Sequence, residues 1–264
     1  MKISEIITVG DELLRGSQVD TNSAWLSKFL NNRDVKVKRI TTIGDDKDCI
    51  SREIKRGIER DANLLIITGG LGPTPDDKTI DALSNAVDLE LVLNEKALSW
   101  VEERFLELFE KGIVTNEKLT QEQKKMAMLP KGSMPLPNPV GTAPGIYLHK
   151  NQTSIVCLPG IPEEMKDILK KNLNILNISG EKIGDHSKIL KIKNRGESSL
   201  IPIIKEIKKK YPDSEINTYP LESTNDVKVK VRLSGKNETH LKKIEKYFRK
   251  LVEGLKGAKI DNSK

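Results

Sequence analysis

The chain has 264 residues, 36% hydrophobic and 4% aromatic, and a formal net charge of +7. That length suits one large domain, or one of about 180 residues with a small appendage, and the apolar share suffices for an ordinary core. No apolar run approaches the roughly 18 to 20 residues of a membrane span, and the N-terminus enters a strand pattern without the apolar stretch of a signal peptide; both set the expectation of a cytoplasmic protein without a membrane partner.

In chain order, β-branched runs at Ile3–Val9, Lys36–Ile43, Asn63–Thr68 and Ser154–Leu158 predict strands. They alternate with helical patterns at Asn22–Asn31, Asp48–Arg60, Asp76–Ala86, Glu95–Lys111 and Pro162–Leu173. Such alternation predicts an α/β fold, a mostly parallel sheet with helices on both faces. Gly10, Gly44, Gly69 and Gly160 each fall just past a strand. In an open α/β sheet ligands bind outside the carboxyl ends of the strands, so these four turns are expected at one site.

Helical, strongly charged material from Glu95 to Lys125 is the expected contact of a homodimer. The stretch Pro130–Gly145 cannot be helix and carries too many prolines for a central strand. It is either a functional loop or a stiff surface connection. Cys49 and Cys157 lie 108 positions apart, outside any C-x-x-C or Cys/His cluster, and read as buried structural thiols.

After Gly184 the pattern predicts a small α+β unit: strands at Lys188–Lys193, Glu215–Pro220 and Val227–Leu233, helices at Glu197–Tyr211 and Glu238–Leu255. Val227, Val229, Val231 and Leu233 alternate with Lys228, Lys230 and Arg232, giving one apolar and one basic face. Residues 1–183 carry 25 Lys+Arg against 27 Asp+Glu, whereas residues 184–264 carry 20 against 11, so the excess positive charge belongs to the second unit. A solvated surface of the kind thermophile proteins carry accounts for it, and nucleic-acid binding is the lesser alternative, since no aromatic stacking pair accompanies the lysines. The expected division is 1–178, 184–258 and a tail at 259–264.

The chemistry concentrates in Thr68-Gly69-Gly70-Leu71-Gly72-Pro73-Thr74-Pro75-Asp76-Asp77-Lys78-Thr79, between a strand and a helix. Glycines let backbone N–H groups approach an anion, and a helix start leaves further N–H groups free. Asp76 and Asp77 would repel a phosphate unless a divalent cation lies between or they cap the helix. Acids recur after the first strand (Gly10-Asp11-Glu12, then Asp20-Thr21-Asn22) and the second (Gly44-Asp45-Asp46-Lys47-Asp48), where Asp48 suits the helix cap. Three such turns at successive strand ends would gather carboxylates able to hold a hard cation against a diphosphate. Leu158-Pro159-Gly160-Ile161-Pro162 supplies a rigid fourth wall, with Pro162 at the first helical position. The chain has no G-x-x-x-x-G-K-[ST] loop and no G-x-S-x-G elbow, and its three histidines are scattered.

Together with Asn138-Pro139-Val140-Gly141-Thr142-Ala143-Pro144-Gly145, these motifs resemble the CinA family over about residues 3–175. The resemblance implies the molybdopterin-binding fold of MoaB and MogA type proteins followed by a KH-like module, without the nicotinamide mononucleotide deamidase domain of many bacterial relatives; no deamidase activity is expected. It implies metal-dependent hydrolysis of a nucleotide diphosphate such as ADP-ribose; the alternative is a non-catalytic protein that binds a nucleotide or molybdopterin. By the same resemblance Gly69, Gly70, Leu71 and Gly72 cradle phosphate, Thr74 donates to it, and Asp77 and Asp45 hold a divalent metal ion (Mg²⁺, Mn²⁺, Co²⁺ or Ni²⁺) or orient water. Glu12 joins them in catalysis, Gly10, Asp11, Asn22, Pro159 and Gly160 line the walls, and Ser133, Asn138, Gly141 and Thr142 close over the nucleotide or pterin.

Overall fold

The structure, a computed structural model, describes residues 2–178, 186–221 and 227–261, without the side chains of 227 and 228. It divides into two compact units, Met1–Gly180 and Glu181–Lys264. The expected boundary near 179–184 and the end of the tail at 262–264 fall outside the described residues.

The first unit runs β1 (Lys2–Val9), α1 (Asp11–Leu14), α2 (Thr21–Asn31), β2 (Val35–Ile43), α3 (Lys47–Glu59), β3 (Leu64–Thr68), α4 (Thr79–Val87), β4 (Leu91–Leu93), α5 (Glu95–Glu110), α6 (Gln121–Lys124), β5 (Met128–Pro130), β6 (Met134–Leu136), β7 (Gly145–Lys150), β8 (Thr153–Leu158) and α7 (Pro162–Lys171). Its six-stranded sheet has the order β2-β1-β3-β8-β7-β6. The first four strands are parallel; β7 and β6 continue one edge antiparallel. Side-chain alternation divides the core into two layers. Ile7, Leu65, Ile67, Ile155 and Cys157 pack in one layer with α3, α4 and α5. Ile6, Leu64, Ile66, Val156 and Leu158 pack in the other with α2 and α7. Helices therefore cover both faces of a mostly parallel sheet, the fold class expected from the sequence.

Several features escaped the sequence pattern, among them β4 and β7, where no strand was expected. The Pro-rich stretch contributes short edge strands: β5 pairs only with β4, and β6 closes the sheet's antiparallel edge, with Pro135 opposite Ile146. Edge positions tolerate a residue that cannot donate to a ladder. In addition, α3 starts at Lys47 with Asp46 as its cap, the carboxylate accepting from the Cys49 N–H at 2.7 Å, so Asp46 rather than Asp48 fills that role.

The second unit runs β9 (Ser187–Lys193), α8 (Ile201–Lys210), β10 (Glu215–Pro220), β11 (Val227–Ser234), α9 (Glu238–Glu253) and β12 (Lys259–Asp261). All pairs are antiparallel, in the order β10-β11-β9-β12. This βαββαβ sequence with its first and third strands central is the split βαβ, ferredoxin-like arrangement. Val229, Val231 and Leu233 face the core with Leu190, Ile192, Ile244 and Phe248. Lys259–Asp261, expected in a tail, pairs with β9, because Ile260 packs on the same core.

Candidate active site at the carboxyl rim of the sheet

The glycine turns that follow β1, β2, β3 and β8 meet at one rim. The Gly10 N–H donates to the Ile43 carbonyl and the Gly69 N–H to that of Leu158, each at 3.0 Å. A β-carbon on Gly69 would run into the Val9 carbonyl oxygen, and one on Gly160 would lie 3.5 Å from the Gly69 Cα. Asn22, at the start of α2, ties the turns together: its Nδ2 donates to the Thr68 hydroxyl at 3.2 Å and to the Gly160 carbonyl at 2.7 Å. The Thr68 hydroxyl in turn donates to the Pro159 carbonyl at 2.8 Å.

The loop after β3 is held from outside itself. Gly69 and Gly70 adopt φ of +106° and +68°, and the first value is open only to glycine. Thr79, the first residue of α4, donates its hydroxyl to the Gly69 carbonyl at 2.8 Å and its N–H to the Gly70 carbonyl at 3.0 Å, while buried Leu71 anchors the turn in the core. The N–H groups of Gly70, Leu71 and Gly72 donate to no acceptor among the described residues. Three successive N–H groups without an acceptor in a glycine turn are donors available to an anion.

Asp76 and Asp77 precede α4 rather than opening it, a correction to the helix expected from Asp76. The reason is local: Asp77 Oδ2 turns back to accept from the Thr74 N–H at 2.9 Å and the Thr74 hydroxyl at 2.6 Å. Thr74, expected to donate to phosphate, donates to Asp77 here. A cation the sequence pattern did not reveal completes the loop: Lys125 Nζ donates to the Asp77 carbonyl at 2.5 Å and lies 3.6 Å from Asp81.

Opposite the loop, Asp11 and Asp45 exchange hydrogen bonds, and Asp11 also pairs with exposed Arg15 at 2.8 Å. The Glu12 carboxylate folds against Gly10. Burial pushes the Asp45 pKa up; the hydrogen bond from Asp11 opposes this, and the negative charges of Glu12, Asp11 and Asp76 add to it. Asp76 is thus a loop acid whose charge is felt at Asp45. Among the described residues no group of three or more His, Cys, Asp or Glu side chains is arranged to hold a metal ion.

The segment between β6 and β7 also reaches the rim, since Leu136 pairs with Gly145 there. Asn138 shapes it: Nδ2 donates to the Ala143 carbonyl at 2.8 Å and to Glu164 Oε2 at 2.6 Å, and Oδ1 accepts from the Gly141 N–H at 2.9 Å. Glu164, buried on α7, has its pKa raised by burial, against the pull of Asn138 and Arg104. Arg104 on α5 donates to the Val140 carbonyl at 2.9 Å. Asn138 and Gly141 thus build the loop, and half-buried Thr142 lies within it. Ser133 lies elsewhere: register places it three residues before Leu136, about 10 Å down the sheet from the rim. Nothing in the spacing separates Ser133 from Asn138. Arg104 and Glu164 were invisible because their partners lie 36 and 26 residues away in sequence.

Residues 5–177 match the family described as "Probable molybdopterin binding domain", and the chain belongs to that family, with a CinA-like domain. Residues 186–260 match the model "FAD synthase, middle domain". Protein PF0476 of Pyrococcus furiosus is 44% identical over 217 residues, 82% of this chain and 84% of the relative. Protein SSO0103 of Saccharolobus solfataricus is 35% identical over 257 residues, 96% and 92% of the two chains. Among solved structures, a CinA protein of unknown function from Thermoplasma acidophilum is 33% identical with a TM-score of 0.60, covering 66% of this chain and 99% of that one.

Proposed function

We propose that the first unit hydrolyses a nucleotide diphosphate such as ADP-ribose with the help of a divalent cation. The observation that carries this is the juxtaposition of three free N–H groups at Gly70, Leu71 and Gly72 with like-charged carboxylates at the neighbouring strand ends. The N–H groups hold a phosphate and stabilise charge that develops on it. Asp45 and the Asp76–Asp77 pair supply hard oxygen donors, which suit Mg²⁺, Mn²⁺, Co²⁺ or Ni²⁺ bound through one or two carboxylates together with substrate phosphate. A cation held there would polarise the phosphoryl oxygens and offset the repulsion between acids and substrate. Glu12 orients the attacking water. No helix of the described residues is long and apolar enough to cross a membrane.

A non-catalytic molybdopterin-binding role is the second reading, favoured by the family match over residues 5–177. A panel of ADP-ribose, FAD and related diphosphates with each of the four cations separates the two. Divalent-dependent release of AMP from ADP-ribose that disappears in Asp77→Asn supports hydrolysis; tight pterin binding without turnover of any diphosphate supports the second reading. The homodimer belongs to the same proposal: Leu106, Phe109 and Ile113, on and just after α5, are exposed, and sedimentation equilibrium measures whether they pair.

A further inference from the structure

Both helices of the second unit pack on one face of its four-stranded sheet, where Ile192, Val231 and Leu233 meet Ile207, Ile244 and Phe248. Alternation sends the intervening strand residues to the other face, which no described element of the unit covers. Register fixes who stands beside whom. Tyr219, Lys230 and Lys191 form one cross-strand row about 10 Å long, and Asn217, Arg232 and Ile189 form the next. Lys193 and Lys259 stand opposite each other beyond Lys191. The acids of this face sit at its margins: Asp261 ends the first row on β12, where it pairs with Lys193 at 3.3 Å, and Glu215 lies beyond the second row on β10. Lys191 and Lys230 form no ion pair among the described residues. Tyr219 is 49% exposed and makes no hydrogen bond or ring contact among them, and Ile189 is 60% exposed.

We propose that this open face binds single-stranded nucleic acid, with Lys191 and Lys230 on phosphates, Tyr219 stacked on a base and Ile189 in apolar contact beside it. The make-up of the face selects the occupant. Protein interfaces are depleted of lysine at their cores, whereas nucleic-acid interfaces are strongly positive. Residues 184–264 carry 20 Lys+Arg against 11 Asp+Glu, a balance that draws a polyanion to this unit. An exposed ring beside cations offers a stacking surface that any base can use, and a single strand has free base faces where a duplex has none. The open face of a four-stranded sheet is also where RNA-recognition modules stack bases. Here the cations Lys191 and Lys230 stand on the central strands β9 and β11 and the ring on edge strand β10, so backbone contacts dominate and sequence preference is weak. The lysines alone did not reveal this surface, because only the pairing of β10 with β11 brings Tyr219 to Lys230.

Fluorescence anisotropy of the full chain with labelled oligouridylate and oligothymidylate of about 15 nucleotides tests this, with a duplex of the same length as reference. Both single strands are expected to bind more tightly than the duplex, and to weaken about tenfold between about 50 mM and about 200 mM salt. The tighter of the two names the partner as RNA or DNA. Tyr219→Ala is expected to weaken binding about tenfold and Tyr219→Phe to leave it unchanged, since the ring and not the hydroxyl stacks. Lys191→Gln and Lys230→Gln are each expected to lower the slope of log affinity against log salt by about 0.7. None of these side chains belongs to the core, so the variants fold as the wild type does. Absence of binding to either strand at low salt overturns the proposal, as does a duplex bound equally well. Wild-type affinity in Tyr219→Ala, or an unchanged slope in both lysine variants, overturns the assignment to this face. Displacement of the strands by an equal concentration of polyglutamate makes the face a site for acidic protein and overturns it as well.

Discussion

Asp11 and Asp45 each hold the other's backbone: Asp45 Oδ2 accepts from the Asp11 N–H at 2.9 Å, and Asp11 Oδ1 accepts from the Asp45 N–H at 3.2 Å. The pair locks the turn after β1 to the turn after β2 and fixes two like charges side by side. Position and charge can therefore be separated by substitution. Asp45→Asn keeps an oxygen for the Asp11 N–H and removes a charge the folded state disfavours, so urea denaturation at pH 7 is expected to show stability at or above wild type while divalent-dependent diphosphate turnover is lost. Asp45→Ala loses the bond as well and is expected to be less stable by about 1 kcal/mol. Full turnover by the asparagine variant would remove Asp45's charge from the mechanism.

Gly69 combines a backbone angle closed to other residues with a β-carbon position occupied by the Val9 carbonyl. Gly69→Ala is expected to cost at least about 2 kcal/mol, since overlap adds to the strain of a sparsely populated conformation. Gly112 is the control, with φ +70° and open space around it, where alanine costs about 1 kcal/mol. Equal losses in the two variants, measured by chemical denaturation, would show that close packing at Gly69 contributes nothing.

Glu164 gives the fold a pH dependence of definite sign. Burial raises its pKa above the ordinary 4.5, so the folded state binds this proton more tightly than the unfolded chain. Its contribution to stability is full below the unfolded value and declines as pH rises through the folded one. Glu164→Gln, which keeps an acceptor for Asn138, is expected to flatten the stability profile across that window. Glu164→Ala strands the Asn138 N–H and is expected to lose about 1 to 3 kcal/mol at every pH. Thermal melts from pH 4 to pH 8 distinguish the variants, and a glutamine profile parallel to wild type would locate the dependence elsewhere.

The two thiols differ, although both were expected to be buried. Cys157 on β8 is fully enclosed and burial raises its pKa strongly, whereas Cys49 on α3 is partly exposed. Iodoacetamide at pH 8 is expected to label Cys49 in the folded protein and Cys157 only after denaturation. Peptide mapping that finds both labelled at equal rates would mean that β8 opens without global unfolding.

The parallel strands and their glycine turns were legible because a buried strand in such a sheet must be a short β-branched run, and a turn pressed against a neighbouring backbone must be glycine. The gathering of Gly10, Gly44, Gly69 and Gly160 at one rim followed from alternation alone, as did the basic alternation along β11. The edge strands at Met128–Pro130 and Met134–Leu136 were hidden by their prolines, which advertise a loop unless the missing donor faces outward.

The order of strands in the second unit and the place of β12 lay equally out of reach, because pairing depends on which apolar faces meet rather than on any one segment's pattern. The same limit governed the site. Sequence alone determined that carboxylates and glycine turns follow successive strands, since strand pattern and turn composition are local properties. Only the tertiary structure decided that Asp77 closes its own loop, that the charge of Asp76 is felt at Asp45, that Ser133 lies down the sheet and that Glu164 clasps Asn138. Side-chain direction is set by hydrogen bonds between elements distant in sequence, and those exist only once the chain has packed.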